Sequence, residues 1–148
     1  MKKAIIALSF ALTLLAIPAF SACSAVKPQG TYTFDEVSVT ADIWMQAELE
    51  YQYRNEMESQ YIKLNKNKTG IISLPPSTGT AAITWKLDGK IMTISTAEGV
   101  ENPYGNAIIF YNKVGRKITI TVKKSYYNTH SSKTEEATVK YTFSKSLI

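Results

Sequence analysis

Apolar and polar residues alternate through most of the chain from Gly30 onward, and this period of two predicts strands. Tyr32 and Phe34 alternate with Thr31, Thr33 and Asp35, and Val37 and Val39 continue a first strand entered through Gly30. Ile62 and Leu64 begin the next, and the polar run Asn65 to Gly70 turns the chain into Ile71 and Ile72. Pro75, Pro76 and Gly79 end that hairpin, because proline has no amide proton to give a ladder. Asp88-Gly89 suits a type I′ turn. It would pair Leu87 with Lys90, Trp85 with Met92 and Ile83 with Ile94, setting Ile83, Trp85, Leu87, Met92 and Ile94 on one face. Ala97 to Asn106 reads as a loop. Ala107 to Tyr111 is continuously apolar, which predicts a strand covered on both sides or lying at one end of a closed sheet. Ile118, Ile120 and Val122 alternate with Lys117, Thr119, Thr121 and Lys123. Lys124 to Thr134 reads as a long polar loop holding Tyr126, Tyr127 and His130, before Ala137, Val139, Tyr141 and Phe143 supply a last inward face.

One stretch carries two periods. From Met45 to Arg54 the residues alternate as a strand would, yet they are Ala, Gln, Glu, Leu, Met and Arg, the strongest helix formers. Thr40 stands where an N-cap would, and Asp42 falls in the first turn. A helix over 41–56, burying Ile43, Trp44, Ala47 and Tyr51, is the reading adopted; the strand alternative stays open.

The first 22 residues follow a different rule. Lys2 and Lys3 precede an apolar run from Ala4 to Ala16 that is too short to span a bilayer, which needs about 20 apolar residues, and small residues follow. This is the layout of a cleaved signal peptide over 1–22. Phe20-Ser21-Ala22-Cys23 resembles the bacterial lipobox, with Phe20 where Leu is usual. The resemblance implies cleavage before Cys23, a lipid on its sulfur, a tether over 23–29 and a domain over 30–148. Such a protein would be anchored to the outer face of the cytoplasmic membrane or to the outer membrane.

Removing the leader leaves about 126 residues, room for one domain and one core. The chain has 17 basic and 12 acidic residues, and loss of Lys2 and Lys3 leaves a mild positive excess spread without a long basic run. Nucleic acid is therefore not an expected partner. A single cysteine permits no internal disulfide. His130 is the sole histidine and has no cysteine or second histidine beside it, so no zinc site or nucleophile pair is expected. Asp35-Glu36 and Glu135-Glu136 are strand neighbours that point apart, and no phosphate-cradling glycine loop occurs. The expectation is a protein without catalytic residues, metal or cofactor.

About eight short strands joined by tight turns, with one short helix after the first, predict a mainly β, antiparallel up-and-down barrel. Gly30 to Phe34, the segment Tyr61-Ile62-Lys63-Leu64 running to Thr69-Gly70, and Thr84-Trp85-Lys86-Leu87-Asp88-Gly89 resemble bacterial lipocalin-like lipoproteins. These are turn and core features, and they imply the fold more than an activity. Two functions follow as expectations. One is a tethered barrel that holds a small apolar ligand in its interior, with Trp44, Trp85, Phe110 and Tyr141 as candidate lining. The other is a filled barrel acting as a protein-interaction or inhibitor module toward an envelope protein, through the Tyr126–His130 or Pro75–Gly79 loops.

Overall fold

The computed structural model describes residues 27–76 and 79–147; the leader and Cys23 lie outside the described residues. Eight strands follow in order: β1 (Gly30–Thr40), β2 (Tyr61–Leu64), β3 (Thr69–Ser73), β4 (Thr80–Asp88), β5 (Ile91–Thr96), β6 (Ile108–Asn112), β7 (Lys117–Asn128) and β8 (Lys133–Lys145). Each pairs antiparallel with the next, and β8 pairs with β1, so the sheet closes into an up-and-down barrel. The helix α1 (Ile43–Met57) joins β1 to β2 across one end. Closure removes both exposed sheet edges and gives every strand one inner and one outer face.

The inner phase of β1 changes partway along. Tyr32 and Phe34 face in, as do Val37 and Val39, and a register shift between Phe34 and Glu36 absorbs the odd step. Asp35 is the extra residue of that bulge, and it re-aims the strand without breaking its pairing. Asp35 and Glu36 are consequently both exposed rather than pointing apart.

The helix is present, but its cap and its buried face both differ from expectation. Asp42, not Thr40, is the N-cap, its Oδ1 accepting from the Trp44 amide at 3.0 Å. Thr40 is still paired in β1, opposite Thr138. Met45, Leu49, Tyr53 and Met57 form the buried stripe at a spacing of four, while Ile43, Trp44 and Tyr51 are 81%, 71% and 70% exposed. Starting the helix two residues later, with Met45 in its first turn, turns the flexible methionines and Leu49 onto the barrel mouth.

The hairpin β4–β5 keeps its expected faces but slips by two residues. Asp88 pairs with Ile91, Leu87 with Met92 and Trp85 with Ile94, so Gly89 and Lys90 form the two-residue loop. Gly89 has φ +59 and Lys90 is not among the positive-φ residues, the pattern of a II′ turn with glycine first. Because the slip is even, inward and outward sets are unchanged.

Two further expectations are corrected. Residues 124–128 and 133–134 belong to β7 and β8, paired from Lys124 with Ala137 to Asn128 with Lys133, and the turn is confined to 129–132. The Thr, Ser and Tyr of this stretch suit a ribbon that is wet on one face. β6 is not covered on both sides: Ile109 and Tyr111 are buried, while Ile108 and Phe110 are exposed on the outer wall.

Gly70 faces into the barrel between β2 and β4. A Cβ there would lie 2.2 Å from the Lys63 carbonyl oxygen and 3.2 Å from the Ile83 side chain, so the close strand approach requires glycine.

Candidate functional site

The two ends of the barrel are built differently. At the end where β1 begins, Tyr32, Tyr111 and Phe143 fill the interior, with Tyr32 edge-on to Tyr111 at 6.3 Å and Phe34 edge-on to Phe143 at 6.0 Å. Trp85 closes the same end. Its Nε1 donates to the carbonyls of Asn65 (3.2 Å) and Thr69 (3.0 Å), and the Lys68 ammonium stands 4.0 Å over its ring. The incoming chain is tied across this end, where the Tyr32 hydroxyl donates to the Pro28 carbonyl and Lys145 Nζ to that of Gln29 at 2.6 Å.

At the opposite end, under α1, the wall parts. β5 and β6 share one register pair, Ile91 with Phe110, and the segment between them folds into the gap. Asn102 Nδ2 donates to the Ile94 carbonyl at 2.9 Å, taking a place a neighbouring strand would hold, and Asn102 Oδ1 accepts from the Tyr104 amide at 3.0 Å. Tyr104 is thereby turned inward, buried and edge-on to Phe143 at 6.5 Å. Beside it opens a cleft of about 670 Å³, within the range of small-molecule sites. Its wall combines Met57, Tyr104, Val122 and Tyr141 with Glu56 and Lys124.

Lys124 continues the inward phase of Ile118, Ile120 and Val122. Its ammonium lies 4.5 Å from the Tyr53 ring centre, 5.6 Å from that of Tyr141 and 3.7 Å from Glu56 Oε2. The Tyr141 hydroxyl is buried and has no hydrogen-bond partner. Burial, then the negative potential of Glu56 and the neighbouring tyrosines, pushes the Tyr141 phenol far above its ordinary range, and burial does the same for Tyr104. Both stay neutral and able to donate.

Of the residues expected to line an interior site, the structure brings Tyr141 to the cleft and the others elsewhere. Trp85 is inside the barrel but seals the packed end. Trp44 is on the outer face of α1, its ring 5.8 Å from that of His130, because the helix buries a different stripe. Phe110 is 43% exposed on the outer wall, because the odd-numbered residues of β6 point in. Lys124, Tyr104, Tyr53 and Glu56 were not anticipated. The signal for Lys124 was a lysine in phase with an inward apolar series; Tyr104 carried none, since it sits in a loop rich in proline and glycine. Among the described residues, no three His, Cys, Asp or Glu side chains gather as metal ligands would.

Fold and site together define a closed eight-stranded barrel with one packed end and one open, mixed-polarity end. No family model matches the chain, and no curated protein matches it. Among solved structures it is similar to a DUF4847 family protein from Bacteroides vulgatus, with 15% identity over 79% of this chain and 92% of that chain and a TM-score of 0.46.

Proposed function

We propose that this protein is a lipid-anchored, extracytoplasmic barrel that binds a small ligand at its open end and performs no chemistry on it. The carrying observation is the cleft of about 670 Å³ in which a buried tyrosine hydroxyl, that of Tyr141, has no partner. Buried polar groups are nearly always hydrogen-bonded, so an unpaired donor beside an open cleft supports a ligand that completes it. The anchoring half of the reading rests on the lipobox-like Phe20 to Cys23. With a lipid on Cys23, the tether enters at the packed end, so that end would sit nearest the bilayer and the cleft would face away from it.

Native mass spectrometry of the protein purified gently from its own host tests the binding half. The expected result is a copurifying small mass that is lost on denaturation. An apo mass that stays unchanged after incubation with apolar and amphipathic compounds would overturn it. Metabolic labelling with a clickable fatty acid tests the anchor: incorporation lost in Cys23→Ser is expected.

A second reading has its own observation. Ile43, Trp44 and Tyr51 form an exposed apolar stripe on α1, extended by His130 against Trp44. Large exposed aromatic stripes suit protein interfaces. Capture of an envelope protein that is lost in Trp44→Ala and retained in Tyr141→Phe would favour it.

A further inference from the structure

We infer that the open end is built for a small apolar zwitterion of the α-amino acid type, an inference that rests on the cleft being a ligand site. Of the charged side chains that line the cleft, Glu56, Glu101, Lys123 and Lys124, Lys123 is turned to Glu136 at 2.9 Å, whereas Lys124 and Glu56 pair with each other. At 3.7 Å the charges are close but not hydrogen-bonded, and both side chains are about a third exposed, so the pair is weak and readily exchanged. Lys124 is nevertheless held in position, because its ammonium rests on the rings of Tyr53 and Tyr141.

A ligand with a carboxylate alone would draw Lys124 toward itself and leave Glu56 without a counter-charge in a partly enclosed mouth. A ligand with an ammonium alone would do the converse. Each singly charged ligand meets one of the two charges and leaves the other without its partner, so it gains less than a ligand that meets both. An ammonium and a carboxylate carried on one carbon match two opposite side-chain charges 3.7 Å apart and re-pair both. Tyr141 adds the third recognition group: a ligand that draws the Lys124 ammonium aside gains the phenol as a donor to its carboxylate. Met57, Tyr104 and Val122 give the wall against which an apolar side chain packs.

The test is calorimetric titration of the purified protein at about pH 6, where an α-amino group is protonated. Four probes are used: L-phenylalanine; N-acetyl-L-phenylalanine, which keeps only the carboxylate; L-phenylalaninamide, which keeps only the ammonium; and the uncharged N-phenyl-1-naphthylamine. L-phenylalanine is expected to bind at least roughly tenfold more tightly than either singly charged analogue. Lys124→Met should abolish its advantage over the amide, and Glu56→Gln its advantage over the N-acetyl form. Tyr141→Phe should weaken L-phenylalanine binding by about five- to tenfold while leaving the thermal midpoint of the free protein unchanged or higher, since a buried hydroxyl without a partner is a cost to the fold. A structural role for Tyr141 would move the two readouts together and count against the inference. N-acetyl-L-phenylalanine binding as tightly as L-phenylalanine would overturn it. Binding of the uncharged probe without L-phenylalanine would overturn the zwitterion and leave the ligand site standing, whereas binding of none of the four would remove both.

Discussion

The packed end and the open end use the same kinds of residue for different purposes. At the packed end the Trp85 indole N–H reaches two carbonyls and the Tyr32 hydroxyl reaches Pro28, while the Tyr111 hydroxyl, buried edge-on to Tyr32, has no partner. At the open end Tyr141 is nearly as buried as Tyr32 yet its hydroxyl has no partner, and Glu56, Glu101, Lys123 and Lys124 line the mouth beside the apolar side chains. Aromatic residues alone therefore do not mark a binding end of a barrel. What distinguishes the two ends is where an unpaired ring hydroxyl sits: that of Tyr111 is enclosed among packed rings, whereas Tyr141 lines an open cleft together with charged side chains.

The largest effect should come from the packed end. Trp85→Ala removes a buried ring, its two hydrogen bonds and the seat of Lys68, and should cost about 3–5 kcal/mol in urea denaturation, a large share of a small domain's stability. Tyr104→Ala, equally buried but bordering the cleft, should cost about 1–2 kcal/mol, because the space it leaves opens to water and its ring is held by a loop rather than a strand. Equal losses in the two variants would break the comparison and make the open end a second packed core.

Much of this asymmetry was hidden in the sequence, while the barrel was not. Strand count and most connections follow from period-two alternation and from Gly89, Pro75 and Gly79, which act locally and leave local marks, whereas the β7–β8 turn was hidden because the polar residues 124–134 read as loop. The face of α1 was misread because its apolar residues lie all round it, and which stripe is buried depends on where the cap falls; Asp42 in place of Thr40 decides it. The register of β4–β5 moved by two because Asp88-Gly89 and Gly89-Lys90 are both acceptable loops, and faces are blind to an even slip. The cleft itself is a long-range property. It needs the loose β5–β6 seam, the inward Tyr104 and the approach of α1 to β7, none of which has a sequence period.

The smallest effect separates the two ends by pH. Beyond the cleft the hairpin β7–β8 extends under the start of α1 and is fastened through Glu135, whose carboxylate accepts from Ser131 Oγ (2.7 Å), Asn128 Nδ2 (3.1 Å) and the Tyr126 hydroxyl (2.9 Å). That same hydroxyl accepts from the Asp42 amide at 3.2 Å, joining hairpin to helix cap. These donors, Ser131 first, hold the Glu135 carboxyl below its ordinary value of 4.5. A carboxyl lowered in the folded state contributes its stability above the unfolded value and loses it as pH falls through the folded one. Acid should therefore loosen this fastening. Asp35, on the outer wall near the packed end, is lowered too, by Ser144 and then Lys117, but its contacts are exposed and leave the aromatic interior untouched. Hydrogen exchange at about pH 3 against pH 7, corrected for intrinsic rates, should show protection falling in β7–β8 from Tyr126 to Glu135 and at the start of α1, while Tyr32, Ile62 and Phe143 keep theirs. Glu135→Gln should remove most of that difference by loosening the hairpin already at neutral pH. Equal acid loss at both ends would mean that they open as one cooperative unit, and the division between a fixed end and a pliable one would fail.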